Sequence, residues 1–154
     1  MRPQSPEAAD LTQAQALFRD QKMAFLATMD PEGFPFGSIV PYLIGPEGWP
    51  VVLISSLAEH TQNLIKEPKV SLTITLPNFE RKSQRLTLVS RASRRIGELD
   101  SLRNHYQNRF PQSEIYINLP DFTFFDLIPL RIRYIGGFGR AFWLTPSELG
   151  ITVS

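Results

Sequence analysis

The chain has 154 residues, 42% of them hydrophobic, enough for one core with little left for a second. Lys and Arg number 16 against 15 Asp and Glu, so no global field draws the protein toward nucleic acid or a membrane surface. There is no cysteine, hence no disulfide, thiolate nucleophile or sulfur-ligated metal; Met1–Pro6 lacks a signal-like apolar core, and no apolar run approaches a membrane span. The expectation is a single domain over 1–154, cytoplasmic, with neither nucleic acid nor membrane as partner.

In chain order, Ser5-Pro6-Glu7 reads as a cap before an amphipathic helix carrying Leu11, Ala14, Leu17 and Phe18. Met23–Met29, Gly37–Ile44 and Val51–Ser55 read as three strands, separated by the turn sequences Asp30-Pro31-Glu32-Gly33 and Gly45-Pro46-Glu47-Gly48. A helix over about Leu57–Lys66 is closed by Pro68. Val70–Leu76 then alternates apolar with polar residues, as a half-buried strand does. Arg85–Ile96 is a fifth strand and Glu98–Phe110 a helix stopped by Pro111. A short helical piece covers Ile115–Asn118, and Phe122–Leu127 with Leu130–Leu144 close the fold. About six antiparallel strands with inserted helices predict a small barrel, mainly β with α.

The stretch Ser55-Ser56-Leu57-Ala58-Glu59-His60-Thr61-Gln62-Asn63-Leu64 follows a strand directly and opens a helix. Unpaired backbone N–H groups at such a start, beside the hydroxyls of Ser55, Ser56 and Thr61, suit an anionic ligand head; the same residues also suit a simple helix cap. Gly136-Gly137-Phe138-Gly139 reads either as a bend at a barrel corner or as a close approach to a ligand. The dense C-terminal aromatics, Tyr116, Phe122, Phe124, Phe125, Tyr134, Phe138, Phe142 and Trp143, read mostly as barrel and dimer core, and one of them at the groove could stack on a flat ring system. Arg81, Lys82, Arg85, Arg91, Arg94 and Arg95 read as a solvated strand face and loop. No nucleophile–base–acid order, carboxylate pair or Walker-type loop is present, and no residue stands out as catalytic or as a metal ligand.

Taken together, Ala27-Thr28-Met29-Asp30 with Gly33, Ser38-Ile39-Val40-Pro41-Tyr42, the Ser55–Leu64 stretch, Arg85-Leu86-Thr87-Leu88 and Gly136–Ala141 stand in an order that resembles one family. It is that of the pyridoxamine 5'-phosphate oxidase-like FMN-binding split barrels, and within it the HugZ-type haem-utilisation branch. The resemblance implies a six-stranded antiparallel split β-barrel with flanking helices, a homodimer with its ligand groove between subunits, and FMN-dependent oxidoreductase chemistry. Phosphate and ribityl contacts would then fall to Ser55, Ser56, Thr61 and Asn63, with Ser38 and Val40 flanking the ring. Where flavin oxidases of the family carry arginine and lysine, this chain has Glu59-His60-Thr61, so Lys82, Arg85 or Arg140 would have to supply the missing cation. Haem is the alternative ligand, with His60 and His105 as the available imidazoles, although the C-terminal region that supplies the iron-ligating histidine of longer HugZ-type proteins has no counterpart here. A third reading keeps the barrel as a non-catalytic binding or regulatory dimer.

Overall fold

A computed structural model describes residues 5–78, 84–137 and 139–152. Helix α1 (Ala8–Asp20) opens where the Glu7 backbone N–H donates to Asp10 Oδ2 at 2.7 Å, and buries Ala14, Leu17 and Phe18. The strands are β1 (Met23–Met29), β2 (Pro35–Pro41), β3 (Leu43–Ile44), β4 (Pro50–Ser55), β5 (Lys69–Thr75), β6 (Arg85–Arg94), β7 (Phe122–Gly137) and β8 (Arg140–Leu144). Helices α2 (Glu59–Lys66) and α3 (Leu99–Arg109) follow β4 and β6, and 3-10 turns cover Pro111–Ile115 and Ser147–Leu149.

All eight strands form one antiparallel sheet in the order β2-β1-β5-β6-β7-β4-β3, with β8 also on β7, curled into a split half-barrel. Two strands exceed the expected six. One arises because the predicted strand Gly37–Ile44 breaks at Tyr42, whose hydroxyl donates to the Phe18 carbonyl at 2.6 Å and anchors α1. The other arises because the closing segment folds back at its glycines. Gly137 and Gly139 have positive φ and make the β7–β8 turn, while a Cβ on Gly136 would lie 3.0 Å from the Tyr134 ring. The hairpin thus explains the glycine run.

Pro129 does not interrupt β7. It lies where β4 has left the strand at Asp126 and β8 has not yet joined at Ile132, opposite a bulge at Val89/Ser90, so no ladder bond needs its missing N–H.

Because directly paired residues share a face, the register defines two rows across the sheet. Ser38, Leu26, Leu72, Leu88, Ile132 and Leu144 are paired in succession; all but Ser38 are fully buried and form the spine of the core under α1. The neighbouring row, Ile39, Phe25, Thr73, Thr87, Arg133 and Trp143, points to the opposite, outer face. A second cluster, of Leu43, Val51, Leu53, Leu102, Tyr106, Ile117 and Phe124, packs α3 against β3 and β4. Among the described residues, no helix is long and apolar enough to cross a membrane.

Candidate functional site

The opening of α2 was the strongest candidate in the sequence, and the Ser55 hydroxyl and the backbone N–H groups of Ser56, Leu57, Ala58 and Thr61 are already engaged within the chain. Ser55 Oγ donates to Asp121 Oδ2 at 2.7 Å and accepts the Leu57 N–H at 3.1 Å. The Ser56 N–H donates to the Asp121 carbonyl, the Ala58 N–H to the Ser55 carbonyl and the Thr61 N–H to the Ala58 carbonyl. Helix α2 starts at Glu59, two residues later than expected, with Ala58 as its N-cap. The strand-to-helix link is therefore a closed loop.

Side chains of the same stretch point inward. Asn63 is buried and its Nδ2 donates to Thr28 Oγ1 at 3.1 Å, which ties α2 to β1. Thr61 is 1% exposed and its hydroxyl has no partner. Ser38 Oγ reaches the Leu26 carbonyl at 3.5 Å, and Val40 is part of the core. Ser56 is exposed. His60 is half-buried, and desolvation holds its pKa below the ordinary value, so the imidazole is neutral at pH 7.

The candidate cations do not join this stretch. Arg140, at the far end of β7 from Ser55, is bound by Asp10: Nη2 reaches Oδ2 at 2.5 Å and Nε reaches Oδ1 at 3.4 Å, with the guanidinium over the Phe142 ring. That hydrogen bond is the main reason the Asp10 carboxyl titrates below its usual range. Arg85 is exposed on the outer face, paired with Thr75 and Ile135; Lys82 lies outside the described residues. With Asp121 and Glu59 present and neither Arg85 nor Arg140 brought in, the described residues of this opening do not fit a phosphate dianion in the protomer.

The outer face has the opposite character. On β1 and β2, Met23, Phe25, Met29 and Ile39 are exposed together, Ile39 at 62%. Across β5 and β6 runs a hydroxyl strip, Ser71, Thr73 and Thr87, in which Thr73 and Thr87 are hydrogen-bonded at 3.0 Å. Beyond it stand Arg131 and Arg133, whose guanidinium carbons lie 4.8 and 5.3 Å from the Trp143 ring centroid. Arg85 belongs to the same face. Of the C-terminal aromatics, Phe124, Phe125, Tyr134 and Phe142 are buried and Trp143 is 52% exposed on this face, while Phe138 lies outside the described residues. Arg95, expected in solvent, is 8% exposed and is held by Glu47, Asp126 and Glu98.

This row of residues was not singled out in the sequence. The alternation Arg131-Ile132-Arg133 shows that both arginines share a strand face, but which strands lie beside it depends on the non-consecutive order β1-β5-β6-β7.

Pyridoxamine 5'-phosphate oxidase is the family that matches, over residues 11–136. The chain is 34% identical over 113 residues to the chloroplastic non-canonical heme oxygenase HOZ of Arabidopsis thaliana, covering 72% of this chain and 35% of that one. It is 32% identical over 141 residues to the heme oxygenase HutZ of Vibrio cholerae, covering 85% of this chain and 78% of the relative. A heme binding protein from Mycobacterium smegmatis superposes with a TM-score of 0.82 at 32% identity, over 95% of this chain and 61% of that one. The chain thus spans about a third of the plant relative and under two thirds of the mycobacterial one. Family match, fold and these relatives agree: the chain belongs to the pyridoxamine 5'-phosphate oxidase-like split-barrel family, in its HugZ-type haem-utilisation branch.

Proposed function

We propose that this protein binds haem on the outer face of its sheet, as a homodimer, and serves haem breakdown. The observation that carries the reading is the row Ile39–Phe25–Thr73–Thr87–Arg133–Trp143, which passes from exposed apolar side chains to guanidinium groups across six strands. Five spacings of about 4.8 Å make it roughly 24 Å wide, room for a ligand with an apolar body and anionic groups at one edge. Haem has that chemistry, a flat apolar macrocycle with two carboxylates. Met23, Phe25 and Ile39 would take the macrocycle, and Arg131, Arg133 and Arg85 the carboxylates.

The fit concerns those two functions. Among the described residues no imidazole lies on this face: His60 is on α2, whose Asn63 is tied to the inward Thr28, and His105 is on α3. This face therefore binds and orients, and it leaves iron ligation to a group outside it. When bound, haem supplies the redox-active iron for oxidative opening of its own macrocycle. The chain's part is to exclude water from the apolar side and to hold the carboxylates.

Haem is favoured over FMN by the contrast between the two candidate sites. A phosphate dianion needs cations that the α2 opening does not provide, whereas the outer face presents three arginines without a carboxylate partner among the described residues. The names of the plant and Vibrio relatives point the same way.

The test is a haemin titration of the parent and of Arg131→Gln and Arg133→Gln. At about 1.5–3 kcal/mol for each charge-assisted hydrogen bond, every single change should weaken haemin about ten- to a hundredfold. Unchanged affinity in the double variant would remove this face from the reading.

A further inference from the structure

On the side of the molecule away from the outer face, α1, α3, β3 and the Ser147–Leu149 turn enclose a cleft of about 470 Å³. Its floor is apolar: Phe18 and Leu149 belong to the core, and Ile44 packs against it. Its rim carries Arg109, Arg19 and His105, and a smaller cleft that shares His105 and Arg109 adds Lys22. The volume falls within the roughly 300–1,000 Å³ of small-molecule sites.

Arg109 is fixed by the backbone alone. Its Nη2 donates to the Gln21 carbonyl and its Nε to the Tyr42 carbonyl at 3.3 Å, and its guanidinium stands 5.7 Å from the Phe110 ring centroid. Carbonyl acceptors orient a guanidinium without cancelling its charge, and no carboxylate among the described residues pairs with Arg109. The acidic groups closest in sequence to the cleft are occupied: Asp20 pairs with Arg19, Glu47 with Arg95, and Glu148 accepts from Thr145. Lys22 is exposed and makes no ion pair among the described residues. A preset, uncompensated cation therefore stands beside an apolar floor.

We infer that this cleft is a second ligand site, separate from the proposed haem face, and that it takes a small amphipathic carboxylate. The carboxylate would meet Arg109 and Lys22, and the hydrocarbon part would lie on Phe18, Ile44 and Leu149. A bare anion would leave the floor in water, and an apolar or cationic molecule would leave the guanidinium unanswered or repelled.

Decanoate is the probe, with butyrate and decylamine as controls for tail and charge, followed by calorimetry and by backbone NMR shifts of the full chain. Saturable decanoate binding is expected, with shifts at Leu149 and Gly150, and with butyrate and decylamine each at least about tenfold weaker. Lys22→Glu, at an exposed position, should weaken decanoate about tenfold or more, and Arg109→Gln likewise, with Arg109→Lys recovering part of the loss. Should Arg109→Gln fail to fold, the shift map decides, because Lys22 also borders Met23, Phe25 and Ile39 at the apolar end of the outer face. Absence of binding, equal affinity for butyrate and decanoate, shifts confined to β1 and β2, or decanoate affinity untouched by Lys22→Glu would each overturn the inference.

Discussion

At the scale of single residues, the same hydroxyls and charges read differently once their partners are known. Asn63 suited a ligand contact in the sequence, yet its amide is spent on Thr28 inside the protein. Replacing Asn63 by alanine should cost about 1–2 kcal/mol of stability and leave haemin affinity unchanged, which denaturant unfolding and a titration would check together. Arg140 makes a similar case. Its hydrogen bond depresses the Asp10 pKa, so the pair stabilises the fold above the unfolded carboxylate's value of about 3.9 and that contribution is lost as pH falls through the folded value. Arg140→Gln should therefore melt below the parent at neutral pH, with the gap closing as pH drops beneath about 4. A gap that stayed constant over that range would mean the ion pair contributes nothing. Both residues were prominent in the sequence because their types suit ligand contacts. What residue type cannot reveal is which internal group claims the side chain first: Asp121, Asp10 and Thr28 lie 66, 130 and 35 residues from Ser55, Arg140 and Asn63.

At the scale of elements, local signals carried most of the fold. Strand β1 was legible to the residue, because Met23–Met29 is apolar but for Thr28 and stops at the turn sequence Asp30-Pro31-Glu32-Gly33, and β5 and β6 were found within two residues at each end. Two departures have local causes. Helix α2 begins late because Ser55 and the Asp121 carbonyl hold the intervening backbone in a loop, and β7 runs through Pro129 because one edge is unpaired there. The turn between β3 and β4 shows how tightly such an element is built. Gly48 has φ of +92°, and a Cβ there would lie 2.7 Å from the Gly150 carbonyl oxygen, which cannot swing away as a side chain can. Gly48→Ala should thus destabilise by more than the roughly 1 kcal/mol typical of a strained φ alone, measured as a shift in the urea midpoint. An unchanged midpoint would show that the C-terminal segment yields without cost. Strand order, by contrast, was not legible: the face that brings Phe25 near Arg133 exists only because β5 and β6 insert beside β1 and β7.

For the whole molecule, one face of the sheet is filled by the core and α1, and the other carries exposed apolar side chains at its β1–β2 end. Met23, Phe25, Met29 and Ile39 exposed on one face exceed what a monomer leaves in water without a purpose. A second copy of the chain is the partner proposed to cover that end while leaving a groove along the arginines, and sedimentation should find a dimer at micromolar concentration. A stable monomer there would remove the groove. The central claim, that this split barrel takes haem and not flavin, is met most directly by one absorption measurement. The purified protein is titrated with haemin and, separately, with FMN. Haemin should develop a saturating Soret band that the Arg131→Gln/Arg133→Gln double variant weakens, while FMN leaves the spectrum of free flavin unchanged. Flavin absorbance retained through purification, with tight FMN binding and no saturable Soret band, would contradict it.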